Sequence, residues 1–489
     1  MQHHTTAEQA LARIEHHLSR QQTHFTLPEA AALSGLSIAA VRDALEVCLH
    51  KYVCRLQVSE QGDLIYNFGP TLRRRDTQTW GERLHEVGAW LWKLFTVLYK
   101  AWIALTLVLY CVVFAVMMLA LLLASSSRRS DERQRSRSSS PLDMEGILRL
   151  FMTIFQWRVI TGSIGYRYDR QGYRYRHYQP QPGVWHPQQK HFITAVYDFV
   201  FGPPRVPLDP LQNAKEVAAY LQQHKGLIVA AELCALAGWT FAQAETFLTD
   251  CVIRYQGETH ITDNAVLYSQ FDRLMRGVGS VAASEIVSYW DEYEPEYEFT
   301  GNSTFQNWLI GGMNCVNLLG AVLVLNGLFD GLLQGQLRQF WGLTSASSVT
   351  WLSLGLGWLP LLFSVLFFCI PLGRLLRLRT LQRRRHRTNI RKRLSKAIFA
   401  RQGQPQSVAQ IVTRVHSGGQ EETLTAAEGE SLLKELALDM PGDMLVNDLA
   451  EIQFSFPRLT RELQEVEKLR LERRVDDRLG QIIIESDNQ

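Results

Sequence analysis

The sequence of 489 residues predicts a mainly α-helical protein that crosses a membrane several times and holds small mixed α+β modules in water. Three observations carry that prediction. Three long apolar runs are almost free of charge, the rest of the chain is polar, and one helix-turn-helix pattern recurs with strand-like residues after it. The mean hydropathy of −0.10 therefore averages two unlike parts. A hydrophobic share of 46% excludes a disordered chain, and a net charge of +3 excludes a polybasic nucleic-acid coat.

The first membrane segment spans 84–124. Its core, AWIALTLVLYCVVFAVMMLALLLA at 101–124, has 24 residues without a charge. At about 1.5 Å per residue, a helix of that length exceeds a hydrocarbon core of roughly 30 Å. The second run, 308–329, carries Asn314, Asn317 and Asn326 among Gly311, Gly312, Gly320 and Gly327. The third, 349–372, contains Gly355, Gly357, Pro360 and Pro371. The last two read as a transmembrane hairpin over 306–372, with small residues permitting close contact and amides bonding between helices.

Orientation comes from the basic juxtamembrane segment 373–400, where Arg374, Arg377, Arg379, Arg383, Arg384, Arg385, Arg387, Arg391, Lys392 and Arg393 follow the third run. The connection at 330–348 holds Arg338 alone among Lys and Arg, so the end after Leu372 is expected in the cytoplasm. The first run poses a parity problem, because Arg73–Arg75 precede it and Arg128, Arg129, Arg133, Arg135 and Arg137 follow it. A hairpin or re-entrant pair within 87–124, a second crossing near 146–165, or an N-terminal module on the other side would each solve it. The expectation is that all soluble parts are cytoplasmic.

The modules rest on a repeated pattern. PEAAALSGLSIAAV at 28–41 gives a helix, a turn at Gly35, a polar cap at Ser37 and a second helix; AELCALAGWTFAQA at 231–244 repeats it with Gly238 and Thr240. A Ser or Thr there accepts bonds from the first free N–H groups of the next helix. A helix precedes each copy, at 7–20 and 213–224, and alternating strand residues follow at 64–68 and 266–271. Three helices and a β hairpin make a winged-helix module. The first is placed at 1–70, the second at 191–275 and a possible third at 405–457.

Winged helices often read DNA, but phosphate contact requires a basic surface. Three basic and five acidic residues in 25–68 give −2, three and six in 213–271 give −3, and two and nine in 406–456 give −7. The second candidate recognition helix, 241–250, has no Lys or Arg. Protein contact is therefore expected and nucleic acid is not, with Trp239, Phe241, Tyr268 and Phe271 as the contact candidates of the second module.

Phe199-Val200-Phe201-Gly202-Pro203-Pro204, Asp209-Pro210-Leu211, Lys215-Glu216-Val217 and Leu236-Ala237-Gly238-Trp239 give the stretch 192–271 a resemblance to a group of uncharacterised bacterial membrane proteins with winged-helix-like repeats. The resemblance implies fold and brings no function.

The linker 125–190 opens with SSSRRSDERQRSRSSS, of disordered composition, and Arg128 and Arg129 are expected to meet anionic headgroups, as are Arg383, Arg384, Arg385 and Arg387. GYRYDRQGYRYRHY at 165–178 reads as a segment on the lipid surface, with protein or single-stranded nucleic acid as alternatives. The acidic stretch DEYEPEYE at 291–298 reads as a solvated face. Seven cysteines without a CxxC spacing read as buried reduced thiols. The N-terminus lacks an apolar signal region, so insertion is expected through the internal runs. No P-loop, GxSxG, HExxH or paired-cysteine zinc pattern is present, which argues against an enzyme and for no cofactor.

The C-terminal amphipathic helix, 458–480, places Leu459, Leu463, Val466 and Leu469 at coiled-coil intervals, so it is expected to pack on its own module, on a second copy or on a client. Together these features predict a scaffold or adaptor in a bacterial inner or internal membrane, with an unknown cytoplasmic protein partner and possible homo-oligomers. A membrane-tethered transcription regulator and a channel subunit lined by Asn314 and Asn317 are the alternatives.

Overall fold

The computed structural model describes residues 7–18, 24–69, 72–75, 80–128, 191–203, 209–277, 286–291, 296–329, 351, 353–417, 424–446, 451–475 and 481–486. The first unit runs α1 (Ala7–Leu18), β1 (His24–Thr26), α2 (Leu27–Ser34), α3 (Ile38–Lys51), β2 (Arg55–Ser59) and β3 (Leu64–Asn67). Its turns follow from local chemistry. Thr26 Oγ1 accepts from Glu29 N at 3.4 Å, while Glu29 Oε2 accepts from Thr26 N at 3.3 Å, a reciprocal cap on α2. Gly35 ends that helix at φ +72°, and Ser37 Oγ then caps α3 through Ala40 N at 3.2 Å.

A helix of 49 residues, α4 (Trp80–Arg128), follows. It is continuous, so no hairpin or re-entrant pair forms within 84–124. Apolar residues that favour helix run through it without an interior proline, and nothing interrupts the backbone ladder. The short helix α5 (Phe192–Phe201) leads to the second unit: α6 (Gln212–Gln223), β4 (Leu227–Val229), α7 (Ala230–Ala237), α8 (Phe241–Tyr255), β5 (Glu258–Ile261) and β6 (Leu267–Gln270). Gly238, at φ +69°, and Thr240, which accepts from Gln243 N at 3.3 Å, reproduce the turn of the first unit.

Two apolar helices come next, α9 (Thr304–Leu325) and α10 (Leu359–Phe399), the latter entered through a π-helical turn at Leu354–Trp358. With α4 they make three helices long and apolar enough to cross a membrane among the described residues. The basic stretch 373–400 is no separate juxtamembrane segment. It is the continuation of α10, with Asn389, Ile390, Leu394 and Ile398 fully buried, and it serves as the first helix of a third unit. That unit continues through β7 (Gln406–Ser407), α11 (Val408–Ser417), α12 (Ala426–Asp439), β8 (Asp443–Val446) and β9 (Ile452–Ser455), with Thr425 capping α12. Last come α13 (Pro457–Glu472) and β10 (Ile482–Glu485).

Each unit closes an antiparallel sheet of the same order: β1-β3-β2, β4-β6-β5 and β7-β9-β8, the first extended by β10 on β2. One continuous apolar core links all three, including Leu45 and Cys48 of the first, Ile228 and Phe271 of the second, and Leu433 and Phe456 of the third.

The apolar helices pack through amides and glycines. Asn314 Nδ2 donates to Ser364 O on α10, and Asn317 Nδ2 donates to Leu107 O on α4, both at 3.0 Å. A Cβ on Gly320 would sit 2.2 Å from Phe114, so only glycine lets α9 approach α4 so closely. These contacts pair Leu107 with Asn317 and Phe114 with Gly320, so α4 and α9 run in the same direction. Helix α5 packs beside Ala104, Ile310 and Phe367, at the end nearer the three units. Arg128 therefore lies at the opposite end of the bundle from His191, where the described chain resumes. The expected crossing near 146–165, the Tyr/Arg stretch 165–178, most of the linker 125–190 and the connection at 330–348 lie outside the described residues.

Candidate interaction surfaces

The first two units are joined at the turn between α2 and α3. Arg254, near the end of α8, donates Nη1 to Gly35 O at 2.8 Å and is held by Asp250 through Nη2 at 2.8 Å. A Cβ on Gly35 would stand 2.8 Å from Leu211 O, so glycine is required both for φ and for contact. Beside it, Asp209 receives Arg13 at 2.8 Å and Lys215 at 2.9 Å. Burial alone would raise the Asp209 pKa, but these hydrogen bonds outweigh it and hold the carboxyl at about 2. His17, half-buried and close to Lys215, His16 and Arg13, is pushed down to about 4, chiefly by burial.

The last helix lies across the second unit. Arg470 grips Glu232 with both terminal nitrogens, at 2.6 and 2.8 Å, and Nη2 also donates to Leu227 O at 2.7 Å. Tyr220 OH donates to Glu232 Oε1 at 2.7 Å. Glu462 Oε2 accepts from Ala231 N at 2.9 Å, so α13 caps the start of α7 where Val229 offers no side-chain acceptor. Burial raises the Glu462 pKa despite that bond and the one from Arg458. Arg458 also binds Glu245 and sits 4.4 Å from the centre of the Phe241 ring.

Several residues expected to contact a partner are thus interior. Phe241, Phe271, Leu459 and Val466 are at most 3% exposed, and Leu463 and Leu469 pack on the same core. The apolar stripe of α13 lies on β4 and α7 of the chain's own second unit. Trp239 and Tyr268 are half-buried, against Phe247 and His260. Phe241 is covered by Arg458 of α13, some 200 residues further along the chain, whereas Phe271 packs against Tyr255 and Gly257 of its own unit. Arg458, Glu462 and Arg470 are not candidates on sequence grounds, and their one signal there is an ionisable residue on the apolar stripe of α13.

The basic residues assigned to lipid divide in the same way. Arg383 and Arg384 are exposed. Arg385 is buried against Glu296 at 3.2 Å, Arg387 binds Glu435, and Arg391 meets Asp439 at 2.6 Å. Asp291 and Glu296 of the acidic stretch thereby answer Lys396 and Arg385 rather than facing water alone. The Arg128 side chain and Arg129 lie outside the described residues.

What remains exposed on α8 is Ala242, Gln243, Thr246, Thr249 and Ile253, a face without Lys or Arg that the part-exposed carboxylates Glu245 and Asp250 adjoin. On α3 it is Ala39, Arg42, Asp43, Glu46, Val47 and His50. The outer edge of the first sheet is occupied by β10, whose Glu485 accepts from Gln57 Nε2 at 3.0 Å.

No family model matches the chain. An uncharacterised chloroplastic protein of Arabidopsis thaliana is 24% identical over 326 residues, covering 62% of this chain and 58% of the relative. The chain thus spans less than two thirds of that relative's length. No solved structure matches.

Proposed function

We propose that the protein is a membrane-anchored scaffold whose three units are winged-helix modules fused into one protein-binding platform. The order of elements and of strands in each unit supports the fold assignment. The carrying observation is the exposed face of α8, which presents no Lys or Arg and is adjoined by the carboxylates Glu245 and Asp250: a helix that reads DNA needs Lys or Arg toward phosphates and base edges. Its end is also held to Gly35, and a strand covers the adjacent hairpin of the first unit. These features favour a protein partner over DNA. The amides Asn314 and Asn317 bond to carbonyls of neighbouring helices, which supports helix packing over a conducting path.

In this reading the platform lies on the cytoplasmic face, where arginines follow the third run. Arg383 and Arg384, with Arg377 and Arg379 on the same helix, are exposed cations that suit anionic headgroups. The test is salt-titrated DNA binding by the full chain in nanodiscs. The expected result is no binding beyond that of nanodiscs lacking protein; binding at moderate salt with a steep salt slope would restore the regulator.

A further inference from the structure

We infer that β10 is a self-association edge, through which two copies in one membrane join their first-unit sheets across a two-fold axis. The strand Ile482–Glu485 already extends the sheet: it pairs with β2, Gln481 O accepts from Glu60 N at 3.0 Å, and Ser486 N donates to Leu56 O at 2.9 Å. It is the last strand in the order β1-β3-β2-β10, so its other edge is open among the described residues. Natural sheets protect such edges with charge, proline, a bulge or a covering segment, and of these β10 has the bulge, a register shift between Ile482 and Ile484 where it pairs with β2. Here the edge carries three consecutive isoleucines, Ile482, Ile483 and Ile484, exposed by 52%, 62% and 61%.

A second copy is the occupant that fits. An antiparallel strand pair is compatible with a two-fold axis, so one surface serves both partners. Centring the pair on Ile483 places Ile482 opposite Ile484 of the other copy and Glu485 opposite Gln481 of the other copy. No like charges then face one another, whereas centring on Glu485 would oppose two carboxylates. Glu485 is also turned toward its own sheet, where Gln57 donates to it at 3.0 Å and Arg55 lies 3.8 Å away. Two copies anchored in one bilayer share an orientation, which sets the two-fold along the membrane normal. Five residues per copy, Gln481 to Glu485, form a small contact, so association draws on the high effective concentration of confinement to a membrane.

The test is oxidative cross-linking of the full chain in native membranes, with Ile483→Cys as the probe. Cα atoms facing each other across an antiparallel pair stand about 4.5–5.5 Å apart, within disulfide reach. The expected result is a reducible dimer at twice the mass of one chain, at least tenfold more abundant than from Leu438→Cys, whose parent residue is exposed by 85% on α12. Adding Ile482→Lys and Ile484→Lys should reduce the dimer by at least tenfold. Both positions are exposed, and an unchanged melting temperature verifies that the chain still folds. Equal cross-linking from both cysteine variants, a dimer indifferent to the lysines, or an adduct with a different protein would each overturn the assignment.

Discussion

Arg470 and Glu232 form a two-pronged ion pair, 2.6 and 2.8 Å long, between residues 238 positions apart. Both side chains are at least nine-tenths buried, and Tyr220 and Leu227 complete their hydrogen bonds. Arg470→Met is expected to destabilise the platform by about 3–5 kcal/mol, because it leaves a buried carboxylate without its cation. Arg470→Met with Glu232→Met should recover a large part of that loss. Thermal unfolding of the four proteins of this cycle checks it; equal losses in the single and double variants would show that α13 is not held by this pair.

Gly35 is where two units depend on one missing side chain. Gly35→Ala meets both a positive φ and the Leu211 carbonyl, and should cost at least about 2 kcal/mol. Gly62→Ala, at φ +81° with open space, should cost about 1–2 kcal/mol from backbone strain alone. Melting temperatures compare the two, and proteolysis between the first two units should accelerate only for the first.

Acid should loosen the same junction in two stages. His17 has a folded pKa of about 4, below its ordinary 6.5, so the folded state favours the neutral ring. Its contribution is complete above about pH 6.5 and is lost as pH falls toward 4. Asp209, at about 2 against an ordinary 3.8, contributes in full above about pH 4 and loses that contribution as pH falls toward 2. Stability against pH for the wild type and His17→Gln separates them: the variant should be flatter between pH 6.5 and 4 and unchanged in slope below.

The common direction of α4 and α9 predicts a labelling pattern. Cysteines at Ser127 and at Thr304 should react with impermeant reagent from opposite sides of sealed vesicles. Labelling of both from one side would mean that α4 does not cross.

The repeated turn was legible because it is local chemistry: Gly35 and Gly238 supply left-handed backbone, and Ser37 and Thr240 supply caps a few residues away. The third unit was faint because its first helix is the extension of an apolar helix, so its arginines resembled a lipid-facing run. Arg385 and Arg387 find acids 89 and 48 positions away, distances over which no periodicity reports. For the same reason the sequence alone leaves Phe241 as a contact residue, whereas in the fold Arg458 of α13 covers its ring. Local patterns revealed the elements; which faces stay exposed was decided by pairs that only the fold brings together.

The exposed face of α8 is the surface proposed to meet protein. A photo-cross-linking amino acid at Thr246, in the full chain and in intact cells, tests it most directly. The expected result is a discrete protein adduct that Gln243→Arg with Thr249→Arg abolishes while the chain stays in the membrane at normal abundance. An adduct with nucleic acid, or a protein adduct indifferent to those two arginines, would contradict it.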